Sequence, residues 1–155
     1  MDINIKIEDK VLNYRVAGII KKDDKILVNE RVDVDYVSLI GGRAKIGESS
    51  IEALIRELKE ESGYDFKYVK TLGIIENFFV SRYDNKEYHE ILIIHEMEFN
   101  DKELYNLEKI QNYEEENVKF VWRTYEELAN VNFVPKIILN YLKKDELFHL
   151  INKDN

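Results

Sequence analysis

Residues 42–64 read GRAKIGESSIEALIRELKEESGY, and the organisation of the whole chain follows from this segment. Ser49 and Glu52 have the spacing of a capping box, which satisfies the free N–H groups at the start of a helix. Gly63 lies where a left-handed residue commonly ends one. Apolar residues recur in between at helical spacing, namely Ile51, Leu54, Ile55 and Leu58. The segment therefore predicts a helix over Ser49–Ser62 with one face packed on a core.

Three acidic side chains share another face of this helix. Glu57, Glu60 and Glu61 stand at i, i+3 and i+4, so their carboxylates lie close together at the border between core and solvent. One interpretation is a solvated charge run, which is common in a chain rich in glutamate. The other is a cation site, because Mg²⁺ and Mn²⁺ prefer clustered carboxylate oxygens and leave positions open for phosphate and water.

The segment before the helix favours β-strands. Tyr14–Asn29 contains two apolar runs joined by Lys-Lys-Asp-Asp, which is typical of a hairpin. Tyr36–Ile40 is a third apolar run and stops at Gly41-Gly42, where we expect a tight or unusual turn.

The segment after the helix continues the pattern. Apolar and β-branched residues predict three more strands, at Val69–Val80, Glu90–Phe99 and Val118–Trp122. Asp101–Glu116 favours a short helix mixed with loop, and Pro135 is expected to open a last helix that runs through Leu142 or beyond. Strands on both sides of a helix, with a second helix at the end, predict a mixed sheet covered on both faces.

Composition restricts the class of protein. The chain has 155 residues, which fits one domain over residues 1–155. It has no cysteine, which excludes disulfides and thiolate ligands, and no apolar run long enough to cross a membrane, so a cytoplasmic protein without a membrane partner is expected. A net charge of -8 argues against binding long nucleic acid but allows a small phosphorylated substrate bridged by divalent cations.

The helix segment also matches a family motif. Counted from Gly42 to Tyr64, it reads Gly, five residues, Glu, seven residues, Arg-Glu-Leu, one residue, Glu-Glu, one residue, Gly-Tyr. This pattern resembles a complete Nudix box, and the surrounding order of elements is similar to MutT-like members of that family. The resemblance implies an α/β/α sandwich with a central mixed β-sheet and a Mg²⁺- or Mn²⁺-dependent hydrolase that cleaves the pyrophosphate linkage of a nucleoside di- or triphosphate derivative.

The resemblance also implies roles for the residues of the box. Glu57, Glu60 and Glu61 would bind the metal together with the backbone carbonyl of Gly41, and Glu48 would be a supporting ligand or would hold the loop. Proline often precedes the two glycines in the family, whereas this chain has Leu39-Ile40 there, which puts the rigidity of the loop in doubt rather than metal binding.

Catalytic roles follow from the same match. Arg56 would orient a catalytic glutamate such as Glu57 or Glu60, although a simple i, i+4 pair with Glu60 is the alternative. The proton of the attacking water would pass to a glutamate on the helix or on a distant loop, and Glu116 is the candidate in the loop. Its neighbours Glu114 and Glu115 compete with it, and all three are also explained as solvated charges.

Residues for binding the substrate lie outside the box. Arg31 follows an apolar run and could reach the phosphates, although an exposed arginine is nearly as good an explanation. Phe79 is a candidate for stacking on a nucleobase, and core packing is the competing interpretation. The same pair of interpretations applies to the other aromatic candidates Phe78, Tyr83 and Trp122. His89 and His95 could serve as ligands or bases, but the glutamates already suffice for the metal.

The substrate stays open at this point, because the prolines that mark several subfamilies are absent. The leading hypothesis is an enzyme acting on a small nucleotide, as a monomer or homodimer. An RNA 5′-end pyrophosphohydrolase is the alternative enzyme, and a nucleotide-sensing module without turnover is the alternative class.

Overall fold

The computed structural model describes residues 1–144 and 146–153. Within these residues there are two α-helices, α1 (Ser50–Ser62) and α2 (Tyr125–Ala129), and two short 3-10 helices at Lys102–Asn106 and Lys136–Asn140. The strands are β1 (Asn4–Ile7), β2 (Lys10–Ile19), β3 (Lys21–Lys22), β4 (Lys25–Arg31), β5 (Val37–Arg43), β6 (Phe66–Val80), β7 (Glu87–Phe99), β8 (Lys109–Gln111), β9 (Val118–Thr124), β10 (Phe133–Val134) and β11 (Phe148–Lys153). None of these helices is both long and apolar enough to cross a membrane.

The strands form one mixed sheet, as the sequence predicted. Its main path runs in the order β11, β6, β7, β2, β5, β4, β9 and β8, with β1 beside β2, β3 beside β4 and β10 beside β5. The pairs β2 with β7, β5 with β10 and β6 with β11 are parallel, and the other pairs are antiparallel. The central position of β2, between β5 and β7, places its residues next to α1.

Each face of the sheet carries its own apolar core. On one face α1 packs on the strands through Leu54 and Leu58, in a cluster with Val16, Ile40 and Phe120. On the other face Leu128 of α2 and Ile138 of the last 3-10 helix pack with Ala17, Ile94 and Val121. Helical elements therefore cover both faces, which confirms the predicted layered α/β architecture.

Helix α1 begins and ends where the capping residues predicted. The Ser49 side chain accepts a hydrogen bond from the Glu52 N–H at 3.1 Å, and Gly63 has a φ of 80°. The buried stripe differs in detail, because Ile55 is 37% exposed whereas Ala53 is fully buried. The expectation that Ile55 packs in the core was wrong, since the helix turns its small Ala53 side toward the sheet.

The predicted hairpin over Tyr14–Asn29 is only partly correct. A tight turn does join Lys21–Lys22 to Lys25–Arg31, but strand Lys10–Ile19 pairs with β5 and β7 and not with β4. Apolar runs identify strands but not their partners, and β5 lies between the two strands that the predicted hairpin joined.

Gly41 and Gly42 do not form the expected turn, because both lie inside strand β5. A Cβ at Gly41 would lie 2.0 Å from the Val16 carbonyl oxygen, and a Cβ at Gly42 would lie 2.2 Å from Cδ of Glu57. The glycines are needed for close approach of a neighbouring backbone and a side chain, which is the other common reason for glycine in a strand.

The C-terminal segment was also predicted incorrectly. The expected helix from Pro135 to Leu142 is a 3-10 helix of five residues, Lys136–Asn140, and strand β11 follows it in parallel with β6. Phe148 and Leu150 alternate with exposed residues and enter the core. That alternation over Phe148–Lys153 was the strand signal that the sequence reading overlooked.

Candidate active site

The guanidinium of Arg56 is the centre of the hydrogen-bond network on α1. Its Nε and Nη2 donate to both carboxylate oxygens of Glu48 at 2.6 and 2.9 Å, and Nη1 donates to Glu57 at 2.9 Å. Longer bonds reach Glu60 at 3.3 Å and the carbonyl of Arg43 at 3.1 Å. The contact with Glu60 is the longest of the set, so the simple i, i+4 pair does not describe the position of Arg56. Its orienting role stays a prediction.

Glu48 lies in the loop before α1 and is fully engaged. One carboxylate oxygen accepts from the Lys45 N–H at 2.8 Å, and both accept from Arg56. The Arg56 hydrogen bond holds the pKa of Glu48 at about 2, well below its usual range. These contacts are those of a residue that holds the loop against α1.

Glu57 lies beside Gly42 on the inner side of α1. Its side chain is 15% exposed and receives a hydrogen bond from Arg56. Burial raises the pKa of Glu57, while Arg56 acts in the opposite direction. The missing Cβ of Gly42 provides the space that this carboxylate occupies.

Glu61 is the least stabilised carboxylate of the group. Burial raises its pKa to about 8, and the negative charges of Glu57 and Glu114 add to the effect, while Arg15 and a hydrogen bond from Asn112 reduce it. Its Oε2 is buried and has no hydrogen-bond partner. A buried carboxylate oxygen without a partner is costly unless something outside the protein completes it.

Glu60 differs from its two neighbours because its side chain is 41% exposed and turns toward Arg56. In the part of the chain that the structure describes, no three acidic or imidazole side chains converge into a ready coordination set. The structure thus brings Glu57 and Glu61 together and leaves Glu60 at the rim.

A divalent cation fits the chemistry of this arrangement. Two inner carboxylates with raised pKa values and one orphan oxygen at Glu61 are the donors that Mg²⁺ or Mn²⁺ prefers. Gly41 precedes Gly42 in β5 and pairs with Ala17, so its backbone is fixed by the sheet next to this pocket.

The loop after β8 closes the site from the other side. The Tyr113 N–H donates to the Glu61 carbonyl at 2.8 Å, and the Asn112 side-chain oxygen accepts from the N–H groups of Glu114 and Glu115 at 2.7 and 3.0 Å. The buried Asn112 therefore shapes the loop and also contacts Glu61. The sequence reading missed Asn112, although an asparagine before an acidic run is a usual signal for such a turn.

The three consecutive glutamates of this loop have different surroundings. The negative charge of Glu114 contributes to the raised pKa values of both Glu57 and Glu61. Glu115 forms an ion pair with Arg31 at 2.6 Å, and all three glutamates are exposed. Glu114 therefore lies electrostatically closest to the helix carboxylates, whereas Glu116 was the residue singled out from the sequence.

Arg31 and Phe79, the two residues predicted to bind substrate, both have partners within the protein. Arg31 donates to Glu115 and to Asp33, so its guanidinium links the end of β4 to the glutamate loop. Phe79 stacks on Tyr88 with ring centroids 5.2 Å apart. A cavity of about 540 Å³ lies nearby between the 32–36 loop and the turn containing Arg82 and Tyr83.

The remaining candidates pack in the protein. Trp122 is 9% exposed and donates its indole N–H to the Leu107 carbonyl at 2.9 Å. His95 is buried between the hydroxyls of Ser50 and Thr71, and burial lowers its pKa. Phe78 packs on the exposed His89 with ring centroids 4.4 Å apart.

Comparison with known proteins identifies the family. The NUDIX domain model matches residues 12–142, so the chain belongs to the NUDIX domain family. Among solved structures, the MutT protein from Methanosarcina mazei Go1 has a TM-score of 0.62 at 17% identity, covering 90% of this chain and 95% of that chain. This likeness concerns the fold.

Two curated relatives match the region of the box. An ADP-ribose pyrophosphatase from Methanocaldococcus jannaschii is 42% identical over 62 residues, which is 38% of this chain and 37% of that protein. An RNA pyrophosphohydrolase from Ruthia magnifica subsp. Calyptogena magnifica is 37% identical over 79 residues, 49% of this chain and 43% of that protein. The matched part of the chain thus spans less than half the length of either relative.

Proposed function

We propose that this protein is a Mg²⁺-dependent hydrolase, with Mn²⁺ as an alternative metal, that cleaves the pyrophosphate linkage of a small nucleoside di- or triphosphate derivative. The observation that supports the proposal best is the inner pair Glu57 and Glu61. Both carboxylates have raised pKa values, and one oxygen of Glu61 has no partner. A folded protein retains such an arrangement at a cost, which is characteristic of functional sites.

In this proposal Glu57, Glu60 and Glu61 hold the cation together with the Gly41 carbonyl. When bound, the cation supplies neutralisation of the diphosphate charge and a more acidic attacking water. Arg56 positions Glu57 through its hydrogen bond at 2.9 Å. Glu48 serves the loop, because both of its oxygens already accept hydrogen bonds from the protein.

The proton of the attacking water is assigned to a glutamate of the loop after β8. We favour Glu114 over Glu116, because the charge of Glu114 acts on both inner carboxylates. Replacing Glu114 by Gln should lower kcat by about 10²-fold or more, because the variant loses the carboxylate that accepts the proton. Glu116→Gln is the matched control, and an equal loss in both variants would count against this assignment.

The proposed activity is tested by measuring product release from a panel of nucleoside triphosphates and nucleoside diphosphate sugars with Mg²⁺ or Mn²⁺. Glu57→Gln should reduce kcat by about 10²-fold or more, because it removes a metal ligand. Glu52→Gln changes an exposed glutamate on the same helix and should leave turnover unchanged. Wild-type turnover no faster than that of Glu57→Gln on every compound would overturn the proposal.

Hydrolysis of RNA 5′ ends is the second candidate, and the similarity to an RNA pyrophosphohydrolase over 79 residues favours it. The net charge of -8 opposes it, since RNA backbone binding relies on basic surfaces. Competition between a 5′-triphosphorylated oligonucleotide and a nucleoside triphosphate separates the two. Tight nucleotide binding without any turnover would instead indicate a sensing module.

A further inference from the structure

Two arginines face each other across the central strands. Arg15 of β2 and Arg43 of β5 are direct partners in the antiparallel register, so their side chains leave the same face of the sheet about 5 Å apart. Both residues are partly buried. Like charges directly opposite each other destabilise a sheet, so a nearby anion is needed to compensate this pair.

The protein does not provide that anion as a close partner. Neither guanidinium forms an ion pair or a hydrogen bond within residues 1–144 and 146–153. The other four arginines of the chain each form an ion pair with a carboxylate, namely Arg31, Arg56, Arg82 and Arg123. The two arginines without such a partner are therefore the two that are adjacent.

Glu90 lies on the same face of the sheet, in the next row of facing residues, but its carboxylate already has hydrogen-bond partners. Asn13 stands two residues before Arg15, and its register partner on β7 is the buried Glu90. The Asn13 amide donates to Glu90 at 2.8 Å, and the Asn77 amide donates to it at 3.4 Å. Amides thus satisfy Glu90, and the arginines remain available for a ligand.

The arginine pair borders the candidate active site. The charge of Arg15 opposes the rise in the pKa of Glu61, so this guanidinium lies within electrostatic range of the inner carboxylates. Arg43 is its direct neighbour in the register of the two strands. Tyr36 and Tyr88 form an aromatic rim on the other side of the pair. The charge of Arg15 opposes the rise in the pKa of Tyr36, and the charge of Arg43 opposes the rise in the pKa of Tyr88. A ligand that extends from Glu61 toward this rim would pass the two guanidiniums.

We propose that Arg15 and Arg43 together bind additional phosphate of a polyphosphate chain, so that the preferred substrate is a nucleoside triphosphate and not a diphosphate linked to a neutral sugar. This inference rests on the proposed hydrolase function. A triphosphate chain carries more negative charge than an internal diphosphate linkage, and the planar guanidinium fork matches phosphate oxygens. Two uncompensated arginines beside the cleavage site favour the more highly charged substrate.

The experiment compares kcat/KM for a nucleoside triphosphate and a nucleoside diphosphate sugar in wild type, Arg15→Gln and Arg43→Gln. Each variant should lose about 10- to 100-fold on the triphosphate, the effect of one charge-assisted hydrogen bond, and less than about 3-fold on the sugar compound. Lys67→Gln removes an exposed cation on β6 and should change neither value. Equal losses on both substrates, or no loss on the triphosphate, would overturn the inference.

A binding measurement separates this inference from the hydrolase proposal. Inorganic tripolyphosphate in metal-free buffer should raise the Tm of wild type and of Lys67→Gln but not of the arginine variants. Without ligand, the arginine variants should melt no lower than wild type, because each removes a repulsion. Tripolyphosphate binding at the pair without turnover of any nucleotide would reject the hydrolase alone, whereas turnover with unchanged specificity in both variants would reject the arginine assignment alone.

Discussion

Glu48 and Glu61 are the same amino acid at the two ends of one segment, yet their carboxylates are in opposite environments. The pKa of Glu48 is about 2 because Arg56 donates to both of its oxygens. The pKa of Glu61 is about 8 because the side chain is buried beside Glu57. Glu48 has every partner it needs within the chain, whereas Glu61 leaves one oxygen without any.

The difference distinguishes a glutamate that stabilises the loop beside the site from a glutamate that is left to bind a ligand. A satisfied carboxylate stabilises the loop to which it belongs, and a buried, repelled carboxylate destabilises the fold that contains it. A cation that binds at Glu61 would remove this penalty, so stability and metal binding should be linked. Substitutions that exchange charge for a neutral amide can test the two halves of the comparison independently.

The largest effect is expected from replacing Arg56, the hydrogen-bond partner that Glu48 and Glu57 share. Arg56→Gln should lower the free energy of unfolding by about 3 to 5 kcal/mol, because it leaves Glu48 and Glu57 without their cation. Chemical denaturation of the metal-free protein measures the change. Lys59→Gln, which removes an exposed lysine of the same helix, is the control and should change stability by about 0.5 kcal/mol or less. A loss no larger than that of the control would contradict the central role of Arg56.

The second effect has the opposite sign. Glu61→Gln should raise the free energy of unfolding of the metal-free protein at pH 8 by about 2 to 3 kcal/mol, since a neutral amide avoids the burial of charge. The same substitution should abolish the increase in Tm that Mg²⁺ produces in wild type. Thermal melts with and without Mg²⁺ test both statements. A less stable variant that still responds to Mg²⁺ would reject the interpretation of Glu61.

The third prediction is the pH dependence of the metal-free wild type. The ordinary pKa of a glutamate is 4.5 and that of folded Glu61 is about 8, so between these values the folded state binds more protons than the unfolded state. The contribution of Glu61 to stability should therefore fall as pH rises through this window, by up to about 1.4 kcal/mol per pH unit. Denaturation curves at several pH values should show the slope in wild type and lose it in Glu61→Gln. The same slope in both proteins would exclude Glu61 as its source.

Local patterns predicted the parts of this structure that depend on neighbours in sequence. The helix, its caps at Ser49 and Gly63, and the family of the box were all correct, because they depend on spacings within one segment. The partners of β2 were not predicted, because pairing is decided by contacts between distant strands. Gly41 and Gly42 were misinterpreted for the same reason, since the atoms that exclude a Cβ belong to other elements.

The residues of the candidate site divide in the same way, into those predicted by local spacing and those that depend on contacts between distant segments. Spacing on the helix placed Glu57 and Glu61 on one face, but it could not show that Glu61 is half-buried with its Oε2 fully buried, whereas Glu60 is exposed. The approach of Asn112 and Glu114 depends on how the loop after β8 folds back on α1. The pairing of Arg15 with Arg43 depends on the register of two strands whose nearest ends, Ile19 and Val37, are 18 residues apart in the sequence. Long-range geometry therefore supplied the features that distinguish this site from others with the same motif.

The smallest effect is expected for Glu48, whose carboxylate oxygens have hydrogen-bond partners within the chain. Glu48→Gln should lower the free energy of unfolding by about 1 kcal/mol, because the amide oxygen can still accept one hydrogen bond whereas the charge that pairs with Arg56 is lost. The stabilisation by Glu48 is present above pH 4.5 and is lost as pH falls toward its folded pKa of about 2, so the difference between wild type and variant should shrink in acid. Its sign is opposite to that of Glu61→Gln, although the chemical change is identical. Denaturation of both variants at pH 8 in one buffer makes the test direct, and equal signs would contradict the contrast between the two glutamates.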